Sequence, residues 1–233
     1  MIADQETLPQ PSAILFDWDN TLIDSWATIH LAFQETFKAF GRPAWTLEEV
    51  QARVRSSARD TFPHLFGEAA EDAMRIYHEA FERRHLEGLR CLEGAEDCLR
   101  ELVRLEIPLG VVSNKSGRFL RREVQALGWN ELFGSLVGAT DARRDKPAPD
   151  PVWMALHEMG VEPTSSVWFV GDTDVDLLCA LNAGCTAVLL RAEAPGESEF
   201  ADSRLHCHAS DFGELLRVVR AVKQAELSSE GRV

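Results

Sequence analysis

The chain has no surplus of positive charge. Among its 233 residues, 24 Lys and Arg stand against 38 Asp and Glu, giving a net charge of −14. Such a surface repels polyanions, which argues against general binding to nucleic acid or to an anionic membrane. An anionic ligand must instead be caught by a local group of cations, backbone N–H groups or a metal ion. No apolar run approaches the ~20 residues that span a bilayer. The opening MIADQETLPQP has no basic segment leading into an apolar one, so no secretory signal is read. CxxC pairs are absent too. Cys91, Cys98, Cys179, Cys185 and Cys207 are odd in number and scattered, as expected for reduced thiols in a cytoplasmic protein. There is no GxxxxGKS/T stretch, which disfavours a P-loop kinase, and no internal repeat or low-complexity tract.

What is present is a rhythm. The runs SAILFD, IPLGVVS, GSLVGAT, SVWFVGD and CTAVLLR are nearly continuous in aliphatic and aromatic residues, as parallel strands covered on both faces require. Between them lie GAEDCLRELVRLE, SGRFLRREVQALG, DPVWMALHEMG and DVDLLCALNAG, each with an apolar stripe at helical spacing. Strand alternating with helix predicts an α/β fold: a doubly wound, mainly parallel, Rossmann-like sheet. Residues 25–90 break the rhythm, with helical patterns only. Trp26, Ile29, Phe33, Phe37 and Phe40 form one stripe, Thr46 and Glu49 a capping box, and a long pattern runs from Glu68 to about His85. The expected organisation is a core of residues 1–24 and 91–233 with an all-helical cap over residues 25–90. The final AELSSEGRV is expected to fray.

In open α/β sheets, ligands bind beyond the carboxyl ends of the strands. The polar residues following the apolar runs are Asp17, Asp19 and Thr21, then Ser113, Asn114 and Lys115, then Arg143, Arg144 and Lys146, then Asp172, Asp174 and Asp176. Several carboxylates on one edge suit a hard cation such as Mg²⁺, which takes oxygen ligands. The cation would draw in a phosphate whose remaining charge Lys146, Thr21 and Ser113 could meet. Residues at i and i+2 of an extended segment point the same way, so Asp17 and Asp19 can both face substrate while Trp18 turns toward packing. One carboxylate can attack phosphorus while the other hands a proton to the leaving oxygen.

The segments DWDNT, VVSNK, DKPAPD and GDTDVD, in that order, resemble the four motifs of the haloacid dehalogenase-like superfamily. The helical insertion after the first motif is similar to the C1-type cap of the phosphoglycolate phosphatase-like branch. The resemblance implies Asp17 as nucleophile and metal ligand. It implies Asp19 as general acid and base, with its backbone carbonyl on the metal. Thr21 would orient that segment at the phosphate end, Ser113 and Asn114 would bind phosphate, and Lys146 would neutralise Asp17 and the phosphoryl group. Asp172 would be the other metal ligand and Asp176 its supporting partner, with Mg²⁺ as the cofactor. Asn20 stands where the family commonly has Gly, and Asn tolerates the left-handed backbone such a turn needs.

The implied activity is hydrolysis of a small phosphate monoester, phosphoglycolate-like or a sugar phosphate, by a monomer or homodimer. A phosphomutase on the same scaffold and a non-catalytic phosphate-binding protein are the alternatives. In RVRSSARDTF, Arg55 and Arg59 are candidates to hold a second anionic group of the substrate by a forked pair of hydrogen bonds, with solvated surface residues as the alternative. His206 and His208 flank Cys207 but supply only two ligands, too few for a metal site on their own.

Overall fold

The computed structural model describes residues 8–196, 199–200 and 205–230. β1 (Ala13–Phe16) is followed by four helices, α1 (Trp26–Ala39), α2 (Leu47–Arg53), α3 (Ala58–Phe66) and α4 (Ala70–Glu82). Helix and strand then alternate: α5 (Ala95–Arg104), β2 (Leu109–Ser116), α6 (Gly117–Leu127), β3 (Ser135–Ala139), α7 (Asp150–Met159), β4 (Val167–Gly171), α8 (Asp174–Asn182) and β5 (Thr186–Leu190). β6 (Cys207–Ala209) and α9 (Phe212–Glu230) complete the chain. The AELSSEGRV segment, expected to fray, continues α9 as far as Glu230; residues 231–233 lie outside the described residues.

All six strands are parallel, in the order β3-β2-β1-β4-β5-β6. This is the doubly wound α/β arrangement expected from the sequence. Alternation along the strands feeds two apolar layers. Ile14 and Phe16 join Trp168, Val170 and Val188 on one face, beneath α5, α6 and α9. Leu15 joins Val112, Phe169 and Leu189 on the other, beneath α7 and α8. The chain leaves β1 in one direction to β2 and in the other to β4, so the strand order reverses at β1. Ligand crevices form at the carboxyl end of such a reversal.

The helices between β1 and β2 carry their own aromatic core. Phe33 and Phe37 of α1 pack on Phe62 and Phe66 of α3, with Trp45 and Tyr77 closing the cluster. Thr46 and Glu49 make both bonds of a capping box, at 3.2 and 2.9 Å. Among the described residues, no helix is long and apolar enough to cross a membrane.

Candidate active site

β1 delivers Asp17 to the crevice, and its N–H donates to Val170 O of the neighbouring strand at 2.9 Å. The chain then turns through Asn20, whose φ is +65°. Its side chain braces the turn by accepting from Ser25 N at 3.3 Å. Asn thus supplies the left-handed residue for which the related motif uses Gly. Trp18, between the two aspartates, is fully buried against Trp129, with ring centres 5.9 Å apart.

Lys146 reaches Asp17 from the loop after β3. Its Nζ lies 2.6 Å from Asp17 Oδ1 and 2.7 Å from Asp176 Oδ1. Asp176 also closes the N-terminus of α8, its Oδ2 accepting from Thr173 N at 3.0 Å and from Thr173 Oγ1 at 2.7 Å. Gly171 is needed for this approach, because a Cβ there would lie 2.3 Å from Asp176 Cβ. Asp172 completes the group. Ligand oxygens of Asp17, Asp172 and Asp176 lie within 4.8 Å of one another, and among the described residues no other cluster of His, Cys, Asp or Glu does so.

The electrostatics are unbalanced. Burial, with Asp176 and Asp19 adding to it, outweighs Lys146 and pushes the Asp17 carboxyl up to about 7. Burial and then the charges of Asp176 and Asp17 hold Asp172 well above the usual carboxylate range. Burial opposes the ammonium of Lys146, but Asp17 and Asp176 outweigh it and raise its pKa. Three carboxylates around one ammonium form a site short of positive charge. Its donors are all hard oxygens, the chemistry that suits Mg²⁺.

The other expected residues divide. Ser113 is buried beside the crevice, where its Oγ accepts from Lys115 N at 3.2 Å and its own hydrogen is free to donate. Thr21 and Asn114, both expected at the phosphate, make hydrogen bonds of their own, and Asn114 also lines the cavity beside Ser113 and Lys146. Thr21 Oγ1 donates to Asp172 Oδ1 at 2.9 Å, so it orients a carboxylate. Asn114 clamps the Lys146 backbone, accepting from Lys146 N at 3.0 Å and donating to Lys146 O at 3.2 Å. Arg55 stands 3.5 Å from Asp174 and lines the cavity. Arg59 turns instead to the buried Asp145 at 2.7 Å, away from the cavity wall. His206 Nδ1 accepts from Ala187 N at 3.0 Å, and His208 Nε2 donates to Arg191 O at 2.9 Å. These rings pin the sheet edge, and among the described residues neither belongs to a cluster that could hold a metal. All five cysteines are unpaired.

A cavity of about 130 Å³ joins this edge to the helical insert. Asp17, Asp19, Ser113, Lys146 and Asp172 form its floor; Trp26, Phe62, Tyr77 and Phe119 form much of its roof. Tyr77 has no hydrogen-bond partner among the described residues. Sequence reasoning passed over two further members of this region, Lys115 as a charge partner of Asp19 and Glu123 behind it. A signal existed: Glu123 interrupts the apolar stripe of Phe119, Leu120 and Val124 on α6, where a carboxylate is buried only if partnered.

The family model for haloacid dehalogenase-like hydrolases matches residues 14–190. A phosphoglycolate phosphatase from Photorhabdus laumondii is 27% identical over 215 residues, covering 89% of this chain and 92% of the relative. The pyrophosphatase PpaX from Oceanobacillus iheyensis is 29% identical over 170 residues, covering 73% and 78%. CbbY from Rhodobacter sphaeroides, solved in complex with phosphate, superposes with a TM-score of 0.77 at 25% identity, covering 90% of this chain and 99% of that one. With most of its length matched, and relatives named as phosphatases beside it, the chain belongs to the haloacid dehalogenase-like hydrolase family.

Proposed function

We propose that the chain is a Mg²⁺-dependent phosphatase acting on a small phosphate monoester through a phosphoryl group carried by Asp17. The observation behind this reading is the placement of Asp17 at the tip of β1, 2.6 Å from Lys146 Nζ and grouped with Asp172 and Asp176. Asp17 and Asp172 would hold the cation, with the backbone carbonyl of Asp19. When bound, the cation supplies the positive charge the carboxylates lack and draws the phosphoryl oxygens toward the floor of the cavity.

The chain's own groups then account for two displacements. A carboxylate oxygen of Asp17 forms a bond to phosphorus as the bond from phosphorus to the ester oxygen breaks, and Asp19 gives its proton to that oxygen. Water next attacks phosphorus and gives a proton to Asp19. The bond to Asp17 breaks, returning the carboxylate and releasing inorganic phosphate. Lys146 offsets charge on Asp17 and the phosphoryl group throughout, and the Ser113 hydroxyl donates to a phosphoryl oxygen. Such preset charges lower the barrier because they need no reorganisation during reaction.

The cavity has room for a small substrate and adjoins a second hollow that Trp26, Val54, Arg55 and Asp172 also line. Its volume of about 130 Å³ is near that of an engineered protein cavity of roughly 150 Å³ that holds benzene. A phosphoryl group with two or three carbons fits, and phosphoglycolate, the substrate named for several relatives, is of that size. Arg55 is the cation on the cavity wall suited to a carboxylate at its far end. A screen of phosphorylated metabolites with Mg²⁺ and phosphate detection tests the reading. Phosphate release from a small ester, stopped by chelator, is expected. No release from any ester, or full release in excess chelator, would contradict it, and a rearranged sugar phosphate would indicate a mutase.

A further inference from the structure

The reaction above gives no task to a second group of buried charges, behind Asp19. Lys115 stands near the end of β2, where the pairing with β3 is irregular between Val112 and Ser116. Irregularities of this kind re-aim side chains. Lys115 Nζ lies 2.7 Å from Asp19 Oδ1 and 2.5 Å from Glu123 Oε2. Glu123 is held from two further sides. Its Oε2 accepts from Trp18 Nε1 at 2.7 Å, and its Oε1 accepts from His85 Nδ1 at 2.8 Å. Lys115, Glu123 and His85 are all buried, and Phe81 covers the ammonium at 5.0 Å from its ring centre.

Packing does not ask for this arrangement. Buried ion pairs are often no more stabilising than apolar residues of the same volume. What the chain of contacts does provide is a fixed position for Lys115 Nζ. Four elements converge on the Lys115–Glu123 pair: the β1 tip through Trp18, the end of β2 through Lys115, α6 through Glu123, and the segment after α4 through His85. Asp19 Oδ1, the oxygen facing Lys115, is itself buried, whereas the side chain as a whole keeps 18% of its surface exposed. The ammonium thus pairs with the inward oxygen by charge, outside hydrogen-bond geometry, while Asp19 still lines the cavity. With two carboxylates on its ammonium and a side chain only 4% exposed, Lys115 is poorly placed to bind phosphate itself.

We infer that Lys115 is a positioning residue for Asp19, anchored by Glu123, and that the buried chain Asp19–Lys115–Glu123–His85 sets the geometry of proton transfer. The inference rests on the reading of Asp19 as general acid and base. Misplacing such a group costs rate mainly where the leaving oxygen needs its proton.

A double-mutant cycle tests it. Asp19→Asn, Lys115→Met and the double variant are compared by kcat and KM on phosphoglycolate and on p-nitrophenyl phosphate, whose leaving group needs little protonation. Lys115→Met is expected to lower kcat about 10- to 100-fold on the alkyl ester and less than about 5-fold on the aryl ester. KM should stay within about 2-fold, and the effect should largely vanish in the Asp19→Asn background, because the two residues act as a unit. Glu123→Gln keeps the volume and serves if Lys115→Met does not fold, with the same ester dependence at smaller size. Equal losses on both esters, or a loss undiminished in the Asp19→Asn background, would overturn the inference. A raised KM with unchanged kcat would do so too, making Lys115 a substrate ligand. If Asp19→Asn alone leaves turnover of phosphoglycolate intact, the role of Asp19 fails first and this inference falls with it. If Asp19→Asn is damaging and Lys115→Met is not, only the inference fails.

Discussion

Two buried lysines flank the reactive end of β1, and each bridges one aspartate of the strand tip to an acidic residue on a helix. Lys146 joins Asp17 to Asp176 of α8; Lys115 joins Asp19 to Glu123 of α6. Their surroundings differ. Beside Lys146, Asp172 adds a third carboxylate, and burial drives Asp17 up to about 7. Beside Lys115, the surplus is met by N–H donors from Trp18 and His85, and Glu123 is held below its ordinary value because Lys115 and those donors outweigh its burial. The first centre is left wanting a cation. In the second, Glu123 is met on three sides, while Asp19 Oδ1 and His85 Nε2 have no hydrogen-bond partner among the described residues. On the proposed reading, the reaction takes place where charge is unmet, while the second centre holds its neighbour still.

The largest expected break in this comparison comes from Asp17→Asn. The amide keeps the shape but cannot attack phosphorus, and turnover should fall by ~10⁴-fold or more in steady-state assays. A variant retaining a tenth of the activity would remove Asp17 from its role. The same substitution should stabilise the metal-free protein at pH 8. A carboxyl whose folded pKa is raised contributes stability while protonated, and that contribution is lost as pH rises through about 7. Asn carries no such loss, so its melting temperature at pH 8 should exceed that of wild type, with the difference narrowing near pH 5.

Metal dependence separates the two centres next. Mg²⁺ at about 100 times its Kd should stabilise the wild type by about 2.7 kcal/mol, read as a thermal shift. Asp172→Asn should weaken that shift strongly, and Glu123→Gln should leave it in place. Ca²⁺ should inhibit, because its preference for more oxygen ligands favours two-oxygen binding by Asp17. Loss of the Mg²⁺ shift in Glu123→Gln would mean the centres are not separate.

The smallest effects belong to the rim. Arg55 lines the cavity and Arg59 does not, so Arg55→Ala should raise KM for phosphoglycolate a few-fold and leave p-nitrophenyl phosphate unchanged. Arg59→Ala should raise neither KM. Its loss leaves the buried Asp145 with one partner fewer, and a lower melting temperature is expected instead. Matching kinetic effects from the two arginines would place both at the substrate.

The sheet and the Lys146 centre were legible because each depends on local pattern. Apolar runs marked the strands, and the residue after each run fell at the crevice by topology alone. Asn20 could be read as left-handed from its chemistry. The Lys115 centre was legible only at Glu123, a carboxylate within the apolar stripe of α6, because its partners Trp18, His85 and Lys115 come from separate elements and meet only once α6 has packed. Thr21 was assigned to phosphate from its place at the strand end and Asn114 by motif, whereas their partners, Asp172 and Lys146, are set by distances that no spacing in the sequence encodes. The same holds for Arg59, whose partner is the buried Asp145.

The central claim is that Asp17 carries the phosphoryl group. Wild-type protein with Mg²⁺ and phosphoglycolate, quenched in acid within one turnover and digested, gives the direct answer by peptide mass spectrometry. One phosphoryl group is expected on the peptide containing Asp17, absent from Asp17→Asn and lost on treatment with hydroxylamine. Turnover with that peptide unmodified, or with the group on another residue, would contradict the account.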